Sequence, residues 1–202
     1  MSKYGYELLI SSQSDGAPNT AGTAASMLPP QAKYTLPAGS ISAAGTVLRI
    51  KAFGRISSLI TTPGTARFDV RFGSNVVFDG LAILLDSVAA HTNVAWALEI
   101  DMICRAVGSS TSATVFGVGK WTSEDILGVP ATAPKGSLTA VLPWNAAPAV
   151  GAGFDSTVAN VIDVFFTQTA ATGSMTCHGY ILESPGLEDG TRPRRWGGRR
   201  PA

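Results

Sequence analysis

Alternation with a period of two constrains this chain more than any other feature. Through residues 46–121, and again through 158–182, apolar and polar residues take turns between short clusters of turn residues, and no stretch of comparable length keeps a helical period. In residues 66–72, Ala66, Phe68, Val70 and Phe72 fall on one side and Arg67, Asp69 and Arg71 on the other. Successive side chains of a strand point to opposite faces, so this pattern predicts strands with one buried and one wetted face, as in antiparallel sheet.

Followed along the chain, the pattern predicts strands over 46–56, 66–72, 76–78, 80–85, 94–107, 113–122, 158–167 and 175–183. Leu48, Ile50, Ala52 and Ile56 are expected inward, with Arg49, Lys51 and Arg55 outward. In the longest strand Trp96, Leu98, Ile100, Met102 and Cys104 share one face, and Glu99, Asp101, Ile103 and Arg105 the other. The next strand is expected to turn Phe116 and Val118 inward. Thr61-Thr62-Pro63-Gly64 and Gly73-Ser74-Asn75 are turn signals, because proline presets φ and glycine accepts positive φ. Pro130, Pro134, Pro143 and Pro148 interrupt residues 124–153, which are read as a long connection with one short strand at 137–142.

The expected architecture is all-β, an antiparallel jelly-roll (Greek-key) β-sandwich over residues 36–186, because eight or nine strands with a long crossover suit that topology better than an up-and-down barrel. Residues 1–35 are expected to form an extended arm that docks on a neighbour, with a short strand at 4–10 and Pro29-Pro30 blocking regular pairing. Residues 187–202 are expected to form a basic tail.

At 202 residues the chain can bury a core without disulfides or metal. Charged residues make up 14% of it, against about 25% in typical globular domains. A weakly charged surface rich in small residues suits burial against partners. Of the 15 basic groups, Arg192, Arg194, Arg195, Arg199 and Arg200 lie in the tail beside Glu188 and Asp189, leaving ten basic and twelve acidic groups in the body. A basic segment holding Trp196 suits phosphate neutralisation with stacking, docking on an acidic protein surface, or a free solvated tail. The body has no matching basic groove, so nucleic acid is not the expected partner. Met1–Glu7 lacks a basic region followed by an apolar run, and no run approaches the ~20 residues of a bilayer span. The expectation is folding in a cytoplasm, with no membrane partner.

Chemistry is sparse. Two histidines, His91 and His178, are too few for a zinc site, and no cofactor fingerprint occurs. Cys177 and His178 are adjacent in a strand and point apart, which disfavours a nucleophile–base pair. Cys104 and Cys177 are read as buried thiols that could face each other across neighbouring strands. Glu99 and Asp101 share a strand face; answering arginines on nearby strands are favoured over acid–base work. Trp121, Trp144 and Trp196 sit near loops or the tail, where tryptophan stacks on sugars or anchors interfaces. Trp144, Arg192, Arg194, Arg195 and Trp196 are the candidate interface residues, and no catalytic, metal or cofactor residue is expected.

Several phrases carry a resemblance: Thr46-Val47-Leu48-Arg49-Ile50, Thr61-Thr62-Pro63-Gly64-Thr65, Val70-Arg71-Phe72-Gly73, Val77-Phe78-Asp79, Thr92 through Glu99, and Thr176 through Glu183. Together, over residues 36–183, they resemble small virion structural proteins of tailed bacteriophages. That resemblance implies trimeric β-sandwiches that decorate capsids or form spikes and fibres, and it transfers no functional residue. The expectation is therefore a non-enzymatic virion component, a capsid decoration or cement protein. It would be a homo-oligomer with a trimer favoured, in contact with the major capsid protein or other virion proteins. A receptor- or glycan-binding module of a tail fibre or head spike is the alternative.

Overall fold

Alternation becomes two antiparallel sheets in the computed structural model, which describes residues 6–60, 64–87, 89–125, 139–171 and 173–185. The strands are β1 (Tyr6–Ser11), β2 (Ala25–Ser26), β3 (Tyr34–Leu36), β4 (Val47–Ser58), β5 (Thr65–Phe72), β6 (Asn75–Asp79), β7 (Ile83–Leu84), β8 (His91–Ala106), β9 (Thr114–Ser123), β10 (Thr139–Leu142), β11 (Asn160–Gln168) and β12 (Ser174–Pro185). One 3-10 turn spans Pro30–Ala32, and the described residues contain no α-helix. Sheet I runs β1-β12-β4-β8-β9-β10. Sheet II runs β2-β11-β5-β6, with β3 also on β11 and β7 also on β5.

The sheets meet through their apolar faces. Phe68 of β5 stands 5.7 Å from the Trp96 ring of β8 and 5.1 Å from that of Trp121 of β9, both in sheet I, and 5.2 Å from Phe166 beside it in sheet II. Leu48, Ile50, Ala52 and Ile56 of β4 and Trp96 through Cys104 of β8 are buried at alternate positions, as the pattern predicts. Such side chains, fully buried, contribute about 1.5–3 kcal/mol each. Burial therefore sets strand phase wherever a strand has an apolar and a polar side.

In β9 the phase is the reverse of the expected one. Val118 is exposed and Phe116 half-buried, under Arg105 at 5.0 Å from the ring centroid, while Ala113, Val115 and Trp121 point inward. The cause is Gly117 and Gly119, which share the inner face. A Cβ on Gly117 would stand 2.5 Å from Cδ2 of Phe78, and one on Gly119 would stand 3.2 Å from Cγ1 of Ile100. The glycines leave room for large neighbours, and Trp121 supplies the bulk one turn of the pleat away.

Of residues 1–35, expected as an arm, the described ones, 6–35, are built into both sheets. β1 pairs with β12, and β2 and β3 pair with β11. Met27, Leu28, Ala32 and Leu36 join the core. A buried ion cluster fastens the segment: Asp163 of β11 accepts a 2.7 Å hydrogen bond from Ser26 Oγ and a 2.7 Å ion pair from Lys33. The outer side of sheet II is accordingly covered around Asp69 and Asp163, while Val161 stays exposed and Arg67 partly so. Asp69 is only 1% exposed, held by Arg71 Nε at 2.5 Å, while the same guanidinium lies 3.8 Å from the Phe165 ring centroid.

Both cysteines are buried and free. β4 lies between their strands, and Cys177 is in register, through Gly54, with Trp96. Cys104 is eight residues further along β8, or roughly 26 Å at 3.3 Å per residue, so the two thiols do not face each other.

Two outcomes follow. Gly117→Ala should destabilise the fold by roughly 1–3 kcal/mol through overpacking against Phe78, while Val118→Thr stays within about 0.5 kcal/mol; urea unfolding of both variants checks the phase of β9. Asp163→Ala should cost roughly 1.5–3 kcal/mol, the worth of a hydrogen bond to a charged group, and hydrogen exchange should accelerate first over residues 25–36.

Candidate functional site

Most charged side chains on sheet I are placed by ladder register. On the outer face Arg49 sits opposite Asp101 and Glu99 opposite Lys120. These become cross-strand pairs, with Arg49 Nε–Asp101 Oδ1 at 2.5 Å and Lys120 Nζ–Glu99 Oε2 at 4.0 Å. Lys51 reaches Glu183 diagonally at 3.3 Å. Exposed pairs of this kind add about 0–1 kcal/mol each; their main effect is to order charge across the face. Glu99 and Asp101, the paired carboxylates, are thus each answered by a cation on an open sheet surface rather than across a cleft. In sheet II, Arg67 holds Asp79 with two hydrogen bonds of 2.7 and 2.6 Å.

Beside the charged rows stands an apolar row. Phe53 of β4 is in register with Ala97 of β8, and Ala97 with Thr122 of β9. Phe53 is 53% exposed, although its ring rests against Gly179 of β12, where a Cβ would lie 2.2 Å from Cζ. Next to it, Ala95, Trp96, Ala97, Thr122, Ser123 and Glu124 line a shallow depression of about 330 Å³. Val118, Val141 and Leu8 extend the exposed apolar surface toward both edges of the sheet.

A second cluster lies where β4, β8 and β9 meet. Ser58 Oγ donates to Asp125 Oδ1 at 2.6 Å, and the Asp86 amide bonds to the Asp125 carbonyl oxygen at 3.0 Å. His91 Nε2 lies 3.0 Å from Asp86 Oδ2. Asp125 is fully buried, and its Oδ2 has no hydrogen-bond partner. Burial pushes the Asp125 pKa up, opposed by the Ser58 hydrogen bond and the nearby His91. Among the described residues no three His, Cys, Asp or Glu side chains are grouped so that they could hold a metal ion. His178 Nδ1 pairs with Asp15 at 2.9 Å. Burial raises the Cys177 thiol to about 12.

The sequence candidates fall in different places. Trp121 is fully buried in the aromatic centre, so it offers nothing to a sugar or partner. Trp144 is partly buried against the core, with its amide bonded to the Gly80 carbonyl oxygen at 2.9 Å. Arg192, Arg194, Arg195 and Trp196 lie outside the described residues. Phe53 was missed because alternation alone reads an outward aromatic between Lys51 and Arg55 as one irregularity. The signal available was its phase, shared with those two cations. No helix among the described residues is long and apolar enough to cross a membrane.

No family model and no curated protein matches this chain. Among solved structures, the CBM2 module of Lactobacillus casei BL23 phage J-1 evolved Dit is similar, with 10% identity, a TM-score of 0.38, and coverage of 92% of this chain and 99% of that one.

The buried carboxyl yields a pH prediction. A folded-state pKa raised by desolvation means that the protonated form favours folding, so this contribution is full below the unfolded value of ~3.9 and is lost as pH rises through the raised folded value. Asp125→Asn removes that loss. The melting temperature of the variant relative to wild type should therefore climb as pH rises above about 4; a constant difference would contradict the assignment.

Proposed function

We propose that this chain is a non-enzymatic structural subunit of a tailed-bacteriophage virion, of the capsid decoration or cement kind, built on a jelly roll. Strand order supports the jelly roll. With β2 and β3 taken as one position, and β7 and the β9–β10 pair set aside, sheet I runs first-eighth-third-sixth and sheet II second-seventh-fourth-fifth. The phrases through residues 36–183 support the virion reading.

The observation that carries the adhesive role is the outer face of sheet I. It has exposed Phe53, Val118 and Val141, and its charges are held in fixed rows by the ladder. A rigid, ordered surface of this kind loses little side-chain freedom on contact, which is what a cementing subunit requires. Assembly with copies of itself and with shell proteins follows from the same surface. The tail with Arg192, Arg194, Arg195 and Trp196 is assigned as a second contact to acidic protein surface.

A second reading, a receptor- or glycan-binding module of a tail fibre or head spike, draws on one observation. Phe53 is an open aromatic ring beside an apolar depression, the arrangement on which a sugar face stacks. Cryo-electron microscopy of particles carrying the protein, with an antibody label, separates the two. The cement reading expects density repeated over the head shell, and label confined to the tail tip would sink it.

A further inference from the structure

Register lays three rows across four strands of sheet I. They are Glu183–Arg49–Asp101–Val118, Ile181–Lys51–Glu99–Lys120 and Gly179–Phe53–Ala97–Thr122, each running β12-β4-β8-β9. Followed strand by strand, the same face sorts by sign. Within the three rows Glu183 stands on β12, Arg49 and Lys51 on β4, Glu99 and Asp101 on β8, and Lys120 on β9, while Arg55 on β4, Arg105 on β8 and Glu124 after β9 lie beyond them. The signs alternate from one strand to the next. The pairs within the sheet leave these groups facing outward as well, with side chains 56% exposed at Asp101 and 59% at Glu99.

We propose that this face binds the same face of a second copy. The two-fold axis lies in the interface, parallel to the strands and midway between β4 and β8. That operation keeps position along the strand and exchanges left for right. It lays β4 on β8 of the second copy and β12 on β9, so within the three rows basic positions meet acidic strands. Arg49 comes over Asp101, and Lys51 over Glu99, of the second copy, and each pair becomes a four-membered network. An isologous contact needs a self-complementary surface, and strand-wise alternation of sign supplies one.

The apolar row fits the same operation. Phe53 faces Ala97 of the second copy. Because its ring leans over Gly179 toward β12, the rotated ring falls between β8 and β9, where Ala95, Ala97 and Thr122 line the depression. Two such insertions, related by the axis, would give the aromatic anchors in pockets that dominate binding energy in protein interfaces. Four strands at about 4.8 Å spacing and nine residues at about 3.3 Å give a footprint of roughly 20 by 30 Å. With side-chain relief this approaches the ~800 Å² per partner of a standard interface. Two twisted faces can stack in this way at a modest angle.

The pairing rests on the assembly reading above, but its test uses the purified full chain alone, so self-association and location on a particle fail separately. Sedimentation equilibrium should find a dimer for the wild type. Phe53→Ser should weaken it about 10- to 100-fold, and Ala97→Glu, which fills the depression, should do the same. Charge exchange is the sharper arm. Arg49→Asp with Lys51→Glu makes β4 acidic, and Glu99→Lys with Asp101→Arg makes β8 basic. Each double variant should be monomeric alone and folded by circular dichroism, and an equimolar mixture should recover the dimer. A monomeric wild type, a trimer, a dimer indifferent to Phe53→Ser and Ala97→Glu, or a mixture that stays monomeric would overturn the proposal. So would a wild-type monomer that binds a glycan array through Phe53.

Discussion

Contact between the two sheets at Phe68 is the interaction on which the rest of the molecule depends. One ring from β5 touches Trp96 and Trp121 of the opposite sheet and Phe166 of its own. Neither sheet can bury its apolar face alone, so the large rings must meet across the gap, and their size sets the spacing at which smaller side chains then pack. Gly117 and Gly119 belong to the same constraint. Their missing side chains let Phe78 and Leu142 approach β9 while Trp121 reaches the centre.

With the inner faces committed to that core, the outer faces take up the charges, and the two sheets do so differently. Sheet II covers two of its outward acids. Asp69 is buried under Arg71 of its own strand, and Asp163, buried under Lys33 and Ser26, binds the N-terminal segment to the body. A buried carboxylate without such partners would be costly, which makes the cluster an all-or-none fastening. Sheet I keeps its charges at the surface, in rows set by register, around an exposed Phe53. Part of one outer face therefore helps to hold the fold, and the other carries ordered charge rows beside an open aromatic ring.

Legibility in the sequence followed the contrast between the two sides of each strand. β4 and β8 carry large apolar groups on one side and charges on the other, and their inward residues match the expectation. β9 has apolar residues on both sides, Phe116 and Val118 against Val115 and Trp121, so period two could not select the face; glycine complementarity to Phe78, a contact across sheets, selected it. Asp69 is read as wetted by any one-strand argument, since nothing local announces that Arg71 and Phe165 will enclose it. The N-terminal segment lacked long alternation because β2 and β3 are short, and proline-rich spacing disguised strands that exist through pairing with β11.

By itself, then, the sequence determined an all-β chain of antiparallel strands and the inward residues of the best-patterned strands. These follow from period, turn chemistry and composition, which are local properties. Only the tertiary structure decided which face β9 buries, that residues 6–36 belong to both sheets, and that opposite charges on β4 and β8 stand in rows beside Phe53 and a depression. Those outcomes depend on contacts between residues tens of positions apart, whose geometry is set by the core they jointly enclose.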